Sequence, residues 1–283
     1  MNTVPRILTI QDMSSIGRCS LTVMLPILSA LKTQAVPLAT AVLSNHLEYP
    51  YHELVDLSDH LKDFMDCWEK NHVDFQAIVS GFLATPEQIH LVEEAIARFG
   101  KENQMVIVDP AMADDGHLYS IYTPTMVDAM RQLISHAHIL KPNYTEACFL
   151  LDISFSTDPI SDDELKRRCR LLHDMGPDMV IMTSVPSETH AVVAVYDGIH
   201  DDLQKLSIPL VPVKATGTGD IFTSVLAGCV MRGYTPYEAA RIAMTFTTHS
   251  IQATVDNIKS MQHGIAFELM LPELISLPNP ERT

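Results

Sequence analysis

Short apolar runs alternating with amphipathic stretches constrain this chain more than any single residue does. RILTIQ (6–11), AVPLATAV (35–42), QAIVSGF (76–82), QMVIVDP (104–110), AHILKPN (137–143) and DMVIMTS (178–184) are short, apolar and rich in valine and isoleucine. Continuous runs of that length suit strands buried on both faces of a parallel sheet. Between them, the patterns at 19–31, 53–70, 86–99, 124–136, 143–151 and 161–175 predict amphipathic helices. Ser161 and Glu164 are spaced as a capping box, and Pro86 and Pro236 follow threonines as first helical residues.

After residue 185 the pattern changes. HAVVAVYDGIHDDLQKLSIPLV (190–211) has two strand-like arms around Asp197-Gly198, a hairpin signal. Helices are expected at 218–232 and 236–254, with a short one at 264–276. Repeated strand–helix units with late antiparallel strands predict an α/β fold, a three-layer α/β/α sandwich around a mostly parallel central sheet. At 283 residues the chain sits near the upper size of one hydrophobic core, so a single domain over 1–283 is expected.

Composition narrows the function. The net charge of −16 comes with no cluster of lysine and arginine, so nucleic acid is not an expected partner. No apolar run reaches the ~20 residues that cross a bilayer, and the first residues lack the regions of a signal peptide. A cytoplasmic protein is expected. Five scattered cysteines with no C-x-x-C pair argue for buried free thiols rather than disulfides or a structural zinc. His136 and His138 lack the spacing of a metal site.

In open α/β sheets ligands bind beyond the carboxyl ends of the strands. Gln11-Asp12, Ser44-Asn45-His46, Gly81-Phe82, Asp109-Pro110, Lys141-Pro142-Asn143 and Thr183-Ser184 all fall there. Another joint, KATGTGDIF (214–222), opens a helix whose buried face is Ile221, Phe222, Val225, Leu226, Cys229 and Val230. Two readings are open for it. It is an ordinary glycine turn with Asp220 as a first-turn acid, or a backbone anion cradle with Asp220 as the adjacent general base. Cradle plus base describes phosphoryl transfer. Neither a G-x-x-x-x-G-K-[ST] loop nor an H-R-D loop is present.

Asp109 closes an apolar strand, and Asp114 and Asp115 follow in a glycine-containing loop. This set suits water-mediated Mg²⁺ or a solvated acidic turn. Asn143 and Glu146, three apart at a strand-to-helix joint, read either as site residues or as a capping box.

Taken in order, ILTIQDMSSIGRCSL, AVLSNH, VSGF, VDPAMADDGHLY, KPNYTEA, MTS and GTGD resemble the ribokinase-like superfamily, and within it the vitamin B6 kinases. The resemblance implies ATP-dependent phosphorylation of the 5′-hydroxymethyl group of pyridoxal, pyridoxine or pyridoxamine by a homodimer. It implies Asp220 as base, Gly217, Thr218 and Gly219 as anion hole, and Asp109 and Glu146 as holders of Mg²⁺. Asn143, Glu146, Thr183, Ser184, Asp114 and Tyr119 are implied on the ATP side, and Asp12, Cys19, His46 and Phe82 in the pyridine pocket. This chain has Asp12 where animal pyridoxal kinases have serine. Leu47 and Phe82 stand where a threonine and a tyrosine are frequent, and Ala113 where glycine is usual. Lys141 replaces a threonine near a monovalent-cation (K⁺) site, where its ammonium stands in for the cation. A hydroxymethylpyrimidine kinase is the enzymatic alternative, although such enzymes often carry cysteine at the position of Asp220. A nucleotide- or vitamer-binding regulatory protein is the non-enzymatic one.

Overall fold

A computed structural model describes residues 4–101, 104–214, 216–258 and 261–280. The chain divides into two compact units, one built from the residues up to Ala77 together with those from Val211, the other from Ile78–Leu210.

The first unit opens with β1 (Arg6–Ser14), α1 (Leu21–Ala30), β2 (Gln34–Leu43), β3 (Leu54–Asp56) and α2 (Ser58–Lys70). β1 and β2 are parallel, with a register shift between Gln11 and Met13. Ile7 to Asp12 are all buried, as a strand covered on both faces requires. The helix expected over 53–70 is corrected at its start, because residues 54–56 pair antiparallel with Ala41–Leu43. Asp56 accounts for the change. Its carboxylate accepts the Ser58 N–H at 2.9 Å and the Ser58 hydroxyl at 2.6 Å, so the helix begins only at Ser58.

The second unit contains β4 (Ala77–Ser80), α3 (Pro86–Phe99), β5 (Met105–Val108), a small hairpin of β6 (Ala113–Asp114) and β7 (His117–Leu118), and α4 (Pro124–Leu133). It continues with β8 (Ile139–Leu140), α5 (Tyr144–Leu151), α6 (Asp162–His173), β9 (Met179–Met182), β10 (His190–Asp197) and β11 (Asp202–Pro209). Its strand order is β11-β10-β9-β8-β5-β4. β5, β8 and β9 are parallel neighbours, whereas β10 is antiparallel to both β9 and β11. The late hairpin is therefore where the sequence predicts it. The capping box expected at Ser161 is only half formed. Ser161 accepts the Glu164 N–H, but the Glu164 carboxylate turns outward to Arg167 and Arg168.

The chain then returns to the first unit through α7 (Thr218–Met231), α8 (Pro236–Asn257) and α9 (Leu271–Ile275). α7 packs on α1 and α8, and Thr235 caps α8 in a complete capping box with Glu238. The mixed, mostly parallel sheet surrounded by helices is the predicted α/β class. Among the described residues no helix is long and apolar enough to cross a membrane.

Candidate active site

The predicted site residues form one group in each unit. In the first unit, Gly217 is the N-cap of α7 at φ 86, the left-handed region that favours glycine. A Cβ there would stand 2.0 Å from the Arg18 carbonyl oxygen, so this glycine is required by backbone packing as well. The N-cap being a glycine, no side chain caps α7. Thr218 and Gly219 lie in that turn, and Ala215 of the KATGTGDIF stretch lies outside the described residues. Asp220 is half-buried, and its Oδ2 accepts the Ser20 backbone N–H at 2.9 Å.

Asp12 and Cys19 belong to the same group. Asp12 is 4% exposed at the end of β1 and accepts the Ser14 hydroxyl at 2.9 Å. Burial raises its pKa, against hydrogen bonds from Ser20 and Ser14. Burial first, and then the charges of Asp220 and Asp12, push the Cys19 thiol up to about 12. His46 has both ring nitrogens committed to backbone. Nδ1 lies 3.3 Å from the Glu48 N–H and Nε2 lies 3.0 Å from the Gln262 carbonyl oxygen, which makes Nε2 the protonated nitrogen. The ring faces, rather than its nitrogens, are what His46 can offer a ligand.

In the second unit, Asp109 follows β5 directly, and its N–H donates to the Ser80 carbonyl at 3.0 Å. Its carboxylate pairs with the Lys141 ammonium at 2.7 Å, both side chains being buried. Asn143 and Glu146 form the capping box of α5. Asn143 Oδ1 accepts the Glu146 N–H at 2.8 Å, and Glu146 Oε2 accepts the Asn143 N–H at 2.7 Å. Glu146 Oε1 also accepts the Met112 N–H at 3.2 Å. Burial first, then the Asp109 charge, push Glu146 up to about 8, against the pull of Lys141 and the two N–H donors. The capping-box reading of this pair is the one the geometry shows, and the capping Glu146 also feels the charge of the buried carboxylate Asp109.

The N-cap and two first-turn residues of α5 hold the 112–116 segment. Besides the Glu146 contact, Asn143 Nδ2 donates to the Ala113 carbonyl at 2.7 Å, and the Gly116 N–H donates to Thr145 Oγ1 at 3.1 Å. Asp114 and Tyr119, predicted on the ATP side, sit on and just after the β6–β7 hairpin and are exposed. Phe82, Tyr119 and Tyr122 form an aromatic cluster with centroids 6.2 to 6.4 Å apart. Thr183 bridges Asn143 in parallel register, and Ser184 follows exposed at φ 55. Sequence reasoning missed Ser20, Arg18 and Thr145. Ser20 and Arg18 act here through backbone groups that carry no residue-type signal.

The carboxylates fit Mg²⁺ in one manner. Among the described residues no three His, Cys, Asp or Glu side chains converge as a metal cage. One Asp109 oxygen engages Lys141, and each Glu146 oxygen accepts a backbone N–H. This donor set suits a hydrated Mg²⁺ held through water and shared with phosphate oxygens. His138 instead accepts the Val106 N–H at 3.1 Å, a structural role.

The phosphomethylpyrimidine kinase family model matches residues 28–265. A candidate phosphomethylpyrimidine kinase from Bacteroides thetaiotaomicron is 39% identical, with a TM-score of 0.95 over 100% of this chain and 97% of that one. A second crystal form of the Bacteroides protein, with pyridoxal, gives 38% identity and a TM-score of 0.93 over 99% and 98%. A pyridoxal kinase from Arabidopsis thaliana is 26% identical over 79% of this chain and 74% of its own.

Proposed function

Because the chain belongs to the phosphomethylpyrimidine kinase family, we propose that it transfers the γ-phosphoryl group of ATP to the 5′-hydroxymethyl group of a B6 vitamer, whether pyridoxal, pyridoxine or pyridoxamine. The observation that carries this reading is Asp220 in the first turn of an uncapped helix behind a left-handed glycine. The substrate choice draws support from the 38% identical relative crystallised with pyridoxal. We propose a homodimer.

In this reading the substrate hydroxyl gives its proton to Asp220 as its oxygen bonds to the γ-phosphorus. The bond from that phosphorus to the β–γ bridging oxygen breaks, and ADP leaves. General-base assistance of this kind contributes about 10²–10⁴ in rate. The N–H groups around Gly217, Thr218 and Gly219 receive the charge of the phosphoryl oxygens. Asp109 and Glu146 would hold Mg²⁺ through water, and the ion would neutralise phosphate charge. Asn143, Glu146, Thr183, Ser184, Asp114 and Tyr119 belong to the ATP side. Asp12, Cys19, His46 and Phe82 belong to the vitamer side, with Cys19 as a neutral thiol.

The family name favours a second reading, phosphorylation of a hydroxymethylpyrimidine, which also presents a CH₂OH group on a heteroaromatic ring. ATP consumption by purified protein, measured separately with three vitamers and with hydroxymethylpyrimidine, discriminates the two. Turnover with a vitamer is expected. Turnover with the pyrimidine alone selects the second reading, and turnover with none leaves only a binding protein. Asp220→Asn should lose at least roughly 10²-fold in kcat with unchanged ATP affinity, and near-native turnover would remove Asp220 from the mechanism.

A further inference from the structure

Ser20 departs from what its position calls for. It precedes α1 as the N-cap, yet its hydroxyl makes no capping bond, and its backbone sits at φ 52, ψ −134. An N-cap serine ordinarily has extended backbone and accepts an N–H from the helix's first turn. Here the carbonyl still accepts the Val23 and Met24 N–H groups, so the helix starts, but the side chain points elsewhere. It lies close enough to the buried Asp12 to lower that carboxyl's pKa, as does the Ser14 hydroxyl, which donates to Asp12 at 2.9 Å. The same residue's N–H donates to Asp220 Oδ2 at 2.9 Å.

The chain before Ser20 bends unusually. Gly17 at φ 127 and Arg18 at φ 50 are left-handed as well, so three of the four residues 17–20 have positive φ. Arg18 and Ser20 gain nothing locally from this conformation, which non-glycine residues adopt only when their surroundings impose it. Two contacts tie it to the start of α7: the Arg18 carbonyl approaches Gly217, where a Cβ would stand 2.0 Å away, and Ser20 reaches Asp220.

We propose that Ser20 is a positioning residue for Asp220, held in its left-handed conformation by Asp12 so that its N–H orients the Asp220 carboxylate. The inference rests on the reading of Asp220 as the base. Asp12 then acts through Ser20, and both are separate from the groups that touch the phosphoryl oxygens.

The test is the Ser20→Gly variant, which keeps the N–H, accepts the positive φ without strain and removes only the hydroxyl. Melting temperature at least equal to wild type is expected, with kcat about ten-fold lower and KM for ATP unchanged. Asp12→Ala should match it, while Asp12→Asn, which retains an acceptor for the hydroxyl, should recover kcat to within about three-fold of wild type. Wild-type kcat in Ser20→Gly overturns the proposal. So does a loss of kcat in step with melting temperature and ATP affinity, the mark of a structural role. If Asp220→Asn is inactive while Ser20→Gly is normal, only this inference fails; if Asp220→Asn stays active, the reading of the base fails first.

Discussion

The Lys141 ammonium lies 2.7 Å from the Asp109 carboxylate, and neither side chain is more than 5% exposed. Removing one member of a buried pair leaves an uncompensated charge and costs about 3 to 5 kcal/mol, more than the intact pair contributes. Lys141→Met should therefore lower unfolding free energy by roughly that amount in urea denaturation. If the ammonium takes the place of a bound monovalent cation, wild-type turnover at constant ionic strength will be indifferent to K⁺. A Lys141→Ala variant should then regain activity when K⁺ or NH₄⁺ is added. Steep K⁺ dependence of the wild type would refute that role.

Asn143 is predicted to serve two structures at once. Its Oδ1 caps α5 while its Nδ2 holds the Ala113 carbonyl at the base of the β6–β7 hairpin. Loss of an N-cap side chain costs about 0.5 to 2 kcal/mol. Asn143→Ala should show that loss of stability together with faster amide exchange at 113–118. Asn143→Asp keeps the cap but not the donor, so it should restore stability while leaving the hairpin's exchange fast.

Much of this was readable in advance because it follows from pattern. Val106, Ile107 and Val108 mark a buried strand, and the carboxylate after them had to emerge at the sheet's edge, where Asp109 is. The capping threonines before Pro86 and Pro236 fixed their helix starts for the same local reason. Leu54–Asp56 failed because three exposed residues on a short edge strand carry no burial pattern, and the helical spacing that follows extends over them. Ser20 was invisible for a different cause. A left-handed φ at serine is imposed by distant partners, Asp12 and Asp220, rather than by the residue type. Glu164 satisfied the spacing of a capping box, yet two arginines on its own helix outcompeted the Ser161 N–H.

Glu146 should make stability fall with rising pH. Its ordinary value of 4.5 is pushed up to about 8 in the fold, so the native state binds its proton more tightly than the unfolded chain. That contribution is complete below about 4.5 and is lost as pH rises through about 8. Urea midpoints measured from pH 5 to 8 should decline in the wild type with a slope that flattens in Glu146→Gln. An unchanged slope in the variant would mean that Glu146 does not hold the proton.

The five thiols should separate sharply by reactivity. Only Cys67 is exposed, and Cys19, Cys148, Cys169 and Cys229 are buried free cysteines. Burial pushes Cys169 and Cys229 up to about 12, and burial together with the charges of Asp220 and Asp12 does the same to Cys19. The thiolate is the reactive form, so these groups are almost wholly protonated at pH 8. Brief iodoacetamide treatment of the native protein followed by mass spectrometry should find one modified cysteine, Cys67, and unchanged activity. Neutralising Asp220 as Asp220→Asn removes one of the charges that hold the Cys19 thiol protonated, so labelling of Cys19 should quicken relative to Cys169. Fast labelling of Cys19 in the wild type would contradict its assignment as a neutral thiol on the vitamer side.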